Sequence, residues 1–169
     1  MDGLRTVVLI AATVATGLMA GVFGIYAVAI MPGLRTTDDR TFIGAYQAID
    51  RAIINPLFLA TFLGALILSI AAALLNLGGD SRSVLFWAAA AAVLYLVAVV
   101  ITFAVHLPLN DALKAAGAPA DLADPAAVRE AFAESRWVAW NIVRTVTSTA
   151  AFACLGWALV LWGRAHVAG

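Results

Sequence analysis

Four long stretches of this chain carry no charged side chain: residues 6–34, 52–79, 83–110 and 145–163. A bilayer's hydrocarbon core takes ~20 helical residues to cross. The first three stretches exceed that length and the fourth just reaches it. The sequence therefore predicts an all-α integral membrane four-helix bundle, one domain over 1–169, with spans at about 6–31, 56–77, 83–105 and 137–163. The first stretch is too long, and its start too weakly basic, for a cleaved signal peptide. Charged residues make up 12% of the chain, about half the ~25% of a soluble domain. Net charge is zero and no Lys or Arg run occurs, which argues against nucleic acid as a partner. Cys154 is the one cysteine, so neither an internal disulfide nor a Cys-x-x-Cys redox pair can form.

Punctuation between the spans predicts the connectors. Pro32-Gly33 is expected to stop the first helix, and Pro108 to break the third near residue 105. Gly17-x-x-x-Gly21 gives the first helix a smooth packing face, which leaves a homo-oligomer or a partner helix open. Thr36-x-x-Asp39 has capping-box spacing, and Phe42, Tyr46, Ile49 and Ile53 then recur at helical intervals. An amphipathic helix is expected there, ended by Asn55-Pro56. Residues 78–82 read as a short turn, 111–116 as a short helix, and 119–124 as a loop. From Ala126 to Leu155 no Gly or Pro intervenes, so one uninterrupted helix is expected to include the fourth span. The density of Arg near the spans favours cytoplasmic termini in a multi-pass cell-membrane protein.

This topology gathers polar residues at one end of the bundle. Arg51 and Asn55 precede span two, His106 and Asn110 follow span three, and Trp137, Trp140, Asn141 and Arg144 open span four. Residues three, four and seven apart share a helix face, so the last four can point together. Each has an ordinary explanation: belt tryptophans, a snorkelling arginine, helix-capping asparagines. Their coincidence points to a pocket, because polar groups near a membrane turn toward a bundle interior or a wet cavity. A cation, amides, a histidine and aromatic walls suit a flat, partly anionic organic ligand or a lipid. His106 and His166 lie at opposite ends, which excludes a bis-histidine haem between them, and no metal-ligand spacing surrounds His106. No P-loop, dinucleotide or Gly-x-Ser-x-Gly motif occurs.

The ordered set Met31-Pro32-Gly33-Leu34, Tyr46-Gln47-Ala48-Ile49-Asp50, Asn55-Pro56-Leu57-Phe58, Leu107-Pro108-Leu109-Asn110 and Trp137-x-x-Trp140-Asn141-x-x-Arg144 resembles the anthrone oxygenase-like family of small four-helix membrane proteins. The likeness covers nearly the whole chain. It departs at Asp50 and His106, where the family usually has Asn. The resemblance implies oxidation of an anthrone to an anthraquinone with dioxygen, by a monooxygenase that needs no metal or other cofactor. On that reading His106 or Asp50 is the base. Arg144 with Asn141 steadies the developing oxyanions. Trp137 and Trp140 stack on the rings, and Asn110, Asn55, Arg51, Tyr46 and Gln47 complete the substrate-binding walls. The competing expectation is a non-catalytic membrane protein that binds a lipid, a quinone or a partner membrane protein.

Overall fold

The computed structural model describes residues 2–78 and 82–167, the last two by backbone alone. Residues 79–81 of the expected turn and the His166 side chain lie outside the described residues. Four helices are long and apolar enough to cross a membrane: α1 (Asp2–Arg35), α3 (Pro56–Leu75), α4 (Arg82–Ala115) and α6 (Glu134–Val167). Helix α2 (Asp39–Ile53) and the short α5 (Pro125–Ala131) connect them on one side. In the bundle α1 packs on α3 and α6, and α4 packs on the same two from the opposite corner.

Lipid offers apolar side chains no advantage in packing on one another, so close fit and internal hydrogen bonds hold such bundles together. The interior accordingly uses small residues. Ala65, Ala72, Ala88, Ala91 and Ala98 are fully buried, around larger anchors such as Leu9, Met19 and Tyr95. Leu57, Val28, Ile67 and Phe86 instead stand on the outer surface, where hydrocarbon would cover them. At Gly17 the Phe152 ring lies 2.9 Å from where a Cβ would sit, so this glycine lets α6 approach α1. Gly21 meets nothing within 4 Å, so only half of the small-residue face is used inside the bundle.

Neither proline stops its helix. Pro32 and Pro108 each follow one turn of π-helix, Tyr26–Ile30 in α1 and Thr102–His106 in α4. In these turns Met31 N–H donates to the Tyr26 carbonyl, and Leu107 N–H to the Thr102 carbonyl. Proline lacks the N–H and clashes with the carbonyl four residues back. A turn widened to i→i+5 moves that carbonyl aside, and the helix continues. The helices therefore run on to Arg35 and Ala115 instead of stopping near residues 31 and 105.

The expected continuous helix after Ala126 is broken. Ala133 adopts φ +52°, a left-handed conformation that separates α5 from α6. Such a conformation costs an L-residue ~1–2 kcal/mol. What holds it is the packing around it: Phe132 is buried beneath, and Glu134 pairs with Arg35 at 2.8 Å and Arg129 at 3.1 Å. The cap of α2 also differs from expectation. Asp38, not Thr36, accepts from Thr41 N–H at 3.1 Å and from the Thr41 hydroxyl at 2.6 Å. The hydroxyl bond, then the backbone bond, hold the Asp38 carboxyl below its ordinary range. Thr36 and Thr37 turn back to the Gly33 and Leu34 carbonyls at the end of α1.

These connectors close one end of the bundle. Phe42, Ile43 and Tyr46 of α2 pack with Met31, Leu113, Phe132 and Trp137 in a second apolar cluster. Arg40 donates to the Pro119, Ala120 and Leu122 carbonyls. Arg129 pairs with Asp39 at 3.0 Å, with its guanidinium 4.2 Å over the Phe42 ring.

Candidate functional site

Beneath that cap lies a cavity of about 70 Å³ between α1, α2, α3, α4 and α6. Phe23 and Tyr26 of α1, Asp50 of α2, Phe58 of α3, Thr102, His106 and Asn110 of α4, and Trp137 and Arg144 of α6 line it. The π turns contribute directly, since Tyr26, Thr102 and His106 all belong to them. Turns of this kind recur at functional sites because they redirect side chains that an α-helix would hold elsewhere.

Asn110 is the hub. Its Oδ1 accepts from the Tyr46 hydroxyl at 2.8 Å and from Trp137 Nε1 at 3.0 Å. Its Nδ2 donates to Asp50 Oδ1 at 2.8 Å, so the amide orientation is set by its partners. The other Asp50 oxygen lies 3.1 Å from Lys114 Nζ, and Lys114 also pairs with the exposed Asp111 at 2.9 Å. Burial first, and the Asp50 carboxylate next, hold the Tyr46 phenol well above its ordinary range. Tyr46 is therefore a fixed donor, and Trp137 is clamped between its own N–H bond and the Tyr26 and Tyr46 rings.

Arg144 faces this network across the cavity. It is 6% exposed, and among the described residues no carboxylate pairs with it. Nη2 donates to Asn141 Oδ1 at 2.8 Å and Nη1 to the Thr102 hydroxyl at 3.0 Å, while buried Nε has no hydrogen-bond partner. The guanidinium lies 4.4 Å over the Phe23 ring and 5.6 Å from that of Trp137. Two ring faces and two neutral oxygens are weak compensation for a cation withdrawn from water, which costs several kcal/mol unless an anion joins it.

His106 is 1% exposed and meets Trp137 edge to face, with centroids 4.7 Å apart. Its Nε2 lies 3.3 Å from the Trp137 carbonyl, and its buried Nδ1 has no hydrogen-bond partner. A carbonyl can only accept. A proton on Nε2 therefore makes that contact a hydrogen bond and leaves Nδ1 its lone pair.

The other residues singled out in the sequence are placed elsewhere. Asn141 is fully buried behind Arg144, where its Nδ2 donates to the Phe23 carbonyl at 3.1 Å. Gln47 is buried but spends its amide on the Leu113 and Gly117 carbonyls, tying α2 to the end of α4. Asn55 caps α3, accepting from Phe58 N–H at 3.0 Å, and Arg51 is exposed. Trp140 does not join Trp137. Positions 137, 141 and 144 share the inward face of α6, whereas 140 is rotated off it and lies 40% exposed in an outer groove beside Val100 and Ala104. Phe23, Tyr26, Thr102 and Lys114 were not singled out by the sequence. For Tyr26 and Thr102 the available signal was a proline six residues downstream of each.

Among the described residues no three of His, Cys, Asp or Glu come together. A family model described as Anthrone oxygenase matches residues 42–154 of the chain. That segment runs from Phe42 in the cap through Arg144 and into the second half of α6. Neither a curated protein nor a solved structure matches the chain.

Proposed function

The chain belongs to the anthrone oxygenase family, and from that premise we propose that it oxidises a flat aromatic ketone whose methylene or hydroxyl proton is acidified by the ring system. The observation that carries this reading is Arg144, a buried cation without a carboxylate, facing a cavity that also holds His106 and Asp50. Substrate ionisation supplies the missing anion. The enolate oxygen then sits against Arg144, where a fixed donor in a dry site is worth far more than in water.

For an anthrone the steps balance without a further reductant. His106 Nδ1 accepts a proton from the ring methylene, and the electron pair left behind forms the enolate. Dioxygen takes electrons from that carbon, a C–O bond forms, and the peroxide anion is protonated by the histidine. Removal of the second methylene proton breaks the O–O bond, forms the new carbonyl and releases water. One anthrone and one dioxygen thus give one anthraquinone and one water. Asn141 positions Arg144. Asn110 orients Trp137, whose indole forms a wall for the ring. Asp50, held by Asn110 and Lys114, is the other acceptor in the cavity.

A second reading rests on size. An apolar cavity of ~150 Å³ accepts benzene, and this one measures about 70 Å³. A single-ring quinone or a lipid group held without turnover needs less opening than a tricyclic ketone. The experiment that separates the two is oxygen uptake coupled to anthrone loss by the purified protein in lipid nanodiscs. Stoichiometric uptake that collapses in Arg144→Met supports the oxygenase. Binding without uptake favours the second reading.

A further inference from the structure

The cavity is capped at the connector end and adjoins an outer groove on the flank of the bundle. On the closed side Phe42, Tyr46, Leu113, Phe132 and Trp137 are each at most 3% exposed, under a cap fastened by Arg40 and Arg129. On the other side an apolar groove of about 310 Å³ runs along the outer face between α1 and α3. Leu18, Met19, Leu57 and Thr61 line it, and Val22, Ile53 and Phe58 belong to both groove and cavity. These three shared residues are half-buried and form the partition between the two spaces. The rim is the α2–α3 junction, where Ile54 leaves helical geometry at ψ 75° and Asn55 begins α3.

We propose that the groove is the entrance to the site, and that an uncharged fused-ring aromatic compound dissolved in the bilayer passes through it by displacing Ile53 and Phe58. The proposal rests on the cavity being a binding site for an aromatic ring. Its chemistry follows from the two linings. The groove offers only aliphatic, phenyl and thioether surface with one hydroxyl and one amide at its edge, so it admits a neutral molecule. The charge appears only after ionisation beside Arg144. A partition of side chains also explains how a 70 Å³ cavity serves a larger ring, because moving Phe58 joins it to the groove.

The test reads the route rather than the reaction. In liposomes, with Cys154→Ala as background, Thr102→Cys places a thiol in the cavity as reporter. N-phenylmaleimide, which partitions into lipid, is expected to label it at least tenfold faster than a sulfonated maleimide confined to water. Plugging the groove by Thr61→Trp from α3, or by Leu18→Trp from α1, is expected to slow the apolar reagent about tenfold. Loosening the cap by Arg40→Ala is expected to change neither rate. Labelling that favours the sulfonated reagent, fails with both reagents, ignores both plugs or quickens on Arg40→Ala overturns the entrance. Expected labelling, with no anthrone turnover by the unsubstituted chain, leaves the entrance standing and removes the oxygenase reading. Turnover by the unsubstituted chain with labelling insensitive to the plugs does the reverse.

Discussion

Arg144 and Asn141 stand one turn apart on α6, and the amide aims the guanidinium. Asn141 Oδ1 accepts from Arg144 Nη2 at 2.8 Å while its Nδ2 donates to the Phe23 carbonyl of α1 at 3.1 Å. The pair separates stability from function. Arg144→Met removes a buried charge that has no anion, and it leaves Asn141 Oδ1 without one donor at a cost of ~1–3 kcal/mol. These effects oppose, so thermal unfolding in detergent is expected to change little. Turnover is expected to fall about 100- to 1,000-fold, the usual loss when an oxyanion donor is removed. Asn141→Leu leaves both the guanidinium and the Phe23 carbonyl short of a partner, and is expected to destabilise by ~2 kcal/mol or more. A marked drop in Tm for Arg144→Met with turnover intact would make the arginine a structural group.

The Asn110 hub serves three partners at once. Asn110→Leu strands the Tyr46 hydroxyl, the Trp137 indole N–H and one Asp50 oxygen, all buried. At ~1–3 kcal/mol for each stranded group, it is expected to be among the most damaging single changes in the molecule. Tyr46→Phe removes only one of those bonds and is expected to cost ~1 kcal/mol. Denaturant unfolding of both variants checks the order. Equal losses would mean that the three bonds do not act through Asn110.

Tyr46 also fixes an alkaline limit. Its phenol titrates well above its ordinary ~10 in the folded chain, because burial and then the Asp50 charge oppose the phenolate. Above pH ~10 the unfolded chain loses this proton while the folded chain keeps it. The unfolded state then binds fewer protons, and stability falls as pH rises. The contribution is fully present below that point. Tyr46→Phe is expected to start less stable at neutral pH and to lose stability less steeply between pH 10 and 11. Parallel slopes for the two proteins would place the phenol in contact with water.

The bundle was legible in the sequence because each span announces itself by an uncharged stretch of about the ~20 residues that cross a bilayer, a signal that tertiary packing cannot override. The end at which the polar residues gather followed from topology alone. What was not legible were three local departures, each set by packing at a distance. Pro32 and Pro108 read as stops, and only the surrounding bundle makes a widened π turn preferable to ending the helix. The residues around Ala133 do not by themselves predict a left-handed residue, since one of the two ion pairs of Glu134 beside it comes from Arg35 at the end of α1. Trp140 shows the limit of spacing arguments. Three residues on a helix leave a 60° offset, enough to put one indole in the cavity wall and the other on the outer surface.

Ala133 offers a direct measure of that remote packing. At φ +52° glycine avoids the ~1–2 kcal/mol that a Cβ costs, against ~0.5–1 kcal/mol for its extra freedom when unfolded. Ala133→Gly is therefore expected to stabilise by roughly 0.5–1 kcal/mol, and Ala133→Val to destabilise. Thermal unfolding in detergent decides it. A loss on Ala133→Gly would mean that the methyl group makes contacts worth more than the strain.

The π turn of α4 can be removed by shortening it, because a π turn is an α-helix with one residue inserted. Ala104 is exposed within Thr102–His106, so deleting it restores the α pattern while leaving Asn110 and Leu113 in register with the cap. The deletion alone brings the Pro108 ring against the carbonyl four residues back, a clash of ~3 kcal/mol. Adding Pro108→Ala removes the ring and restores an N–H. The double change is expected to regain most of the lost stability, so the two changes are strongly non-additive. Turnover is not expected to return, because the widened turn that presents both Thr102 and His106 to the cavity is gone. Full activity in the double variant would show that the π turn accommodates the proline and contributes nothing to the site.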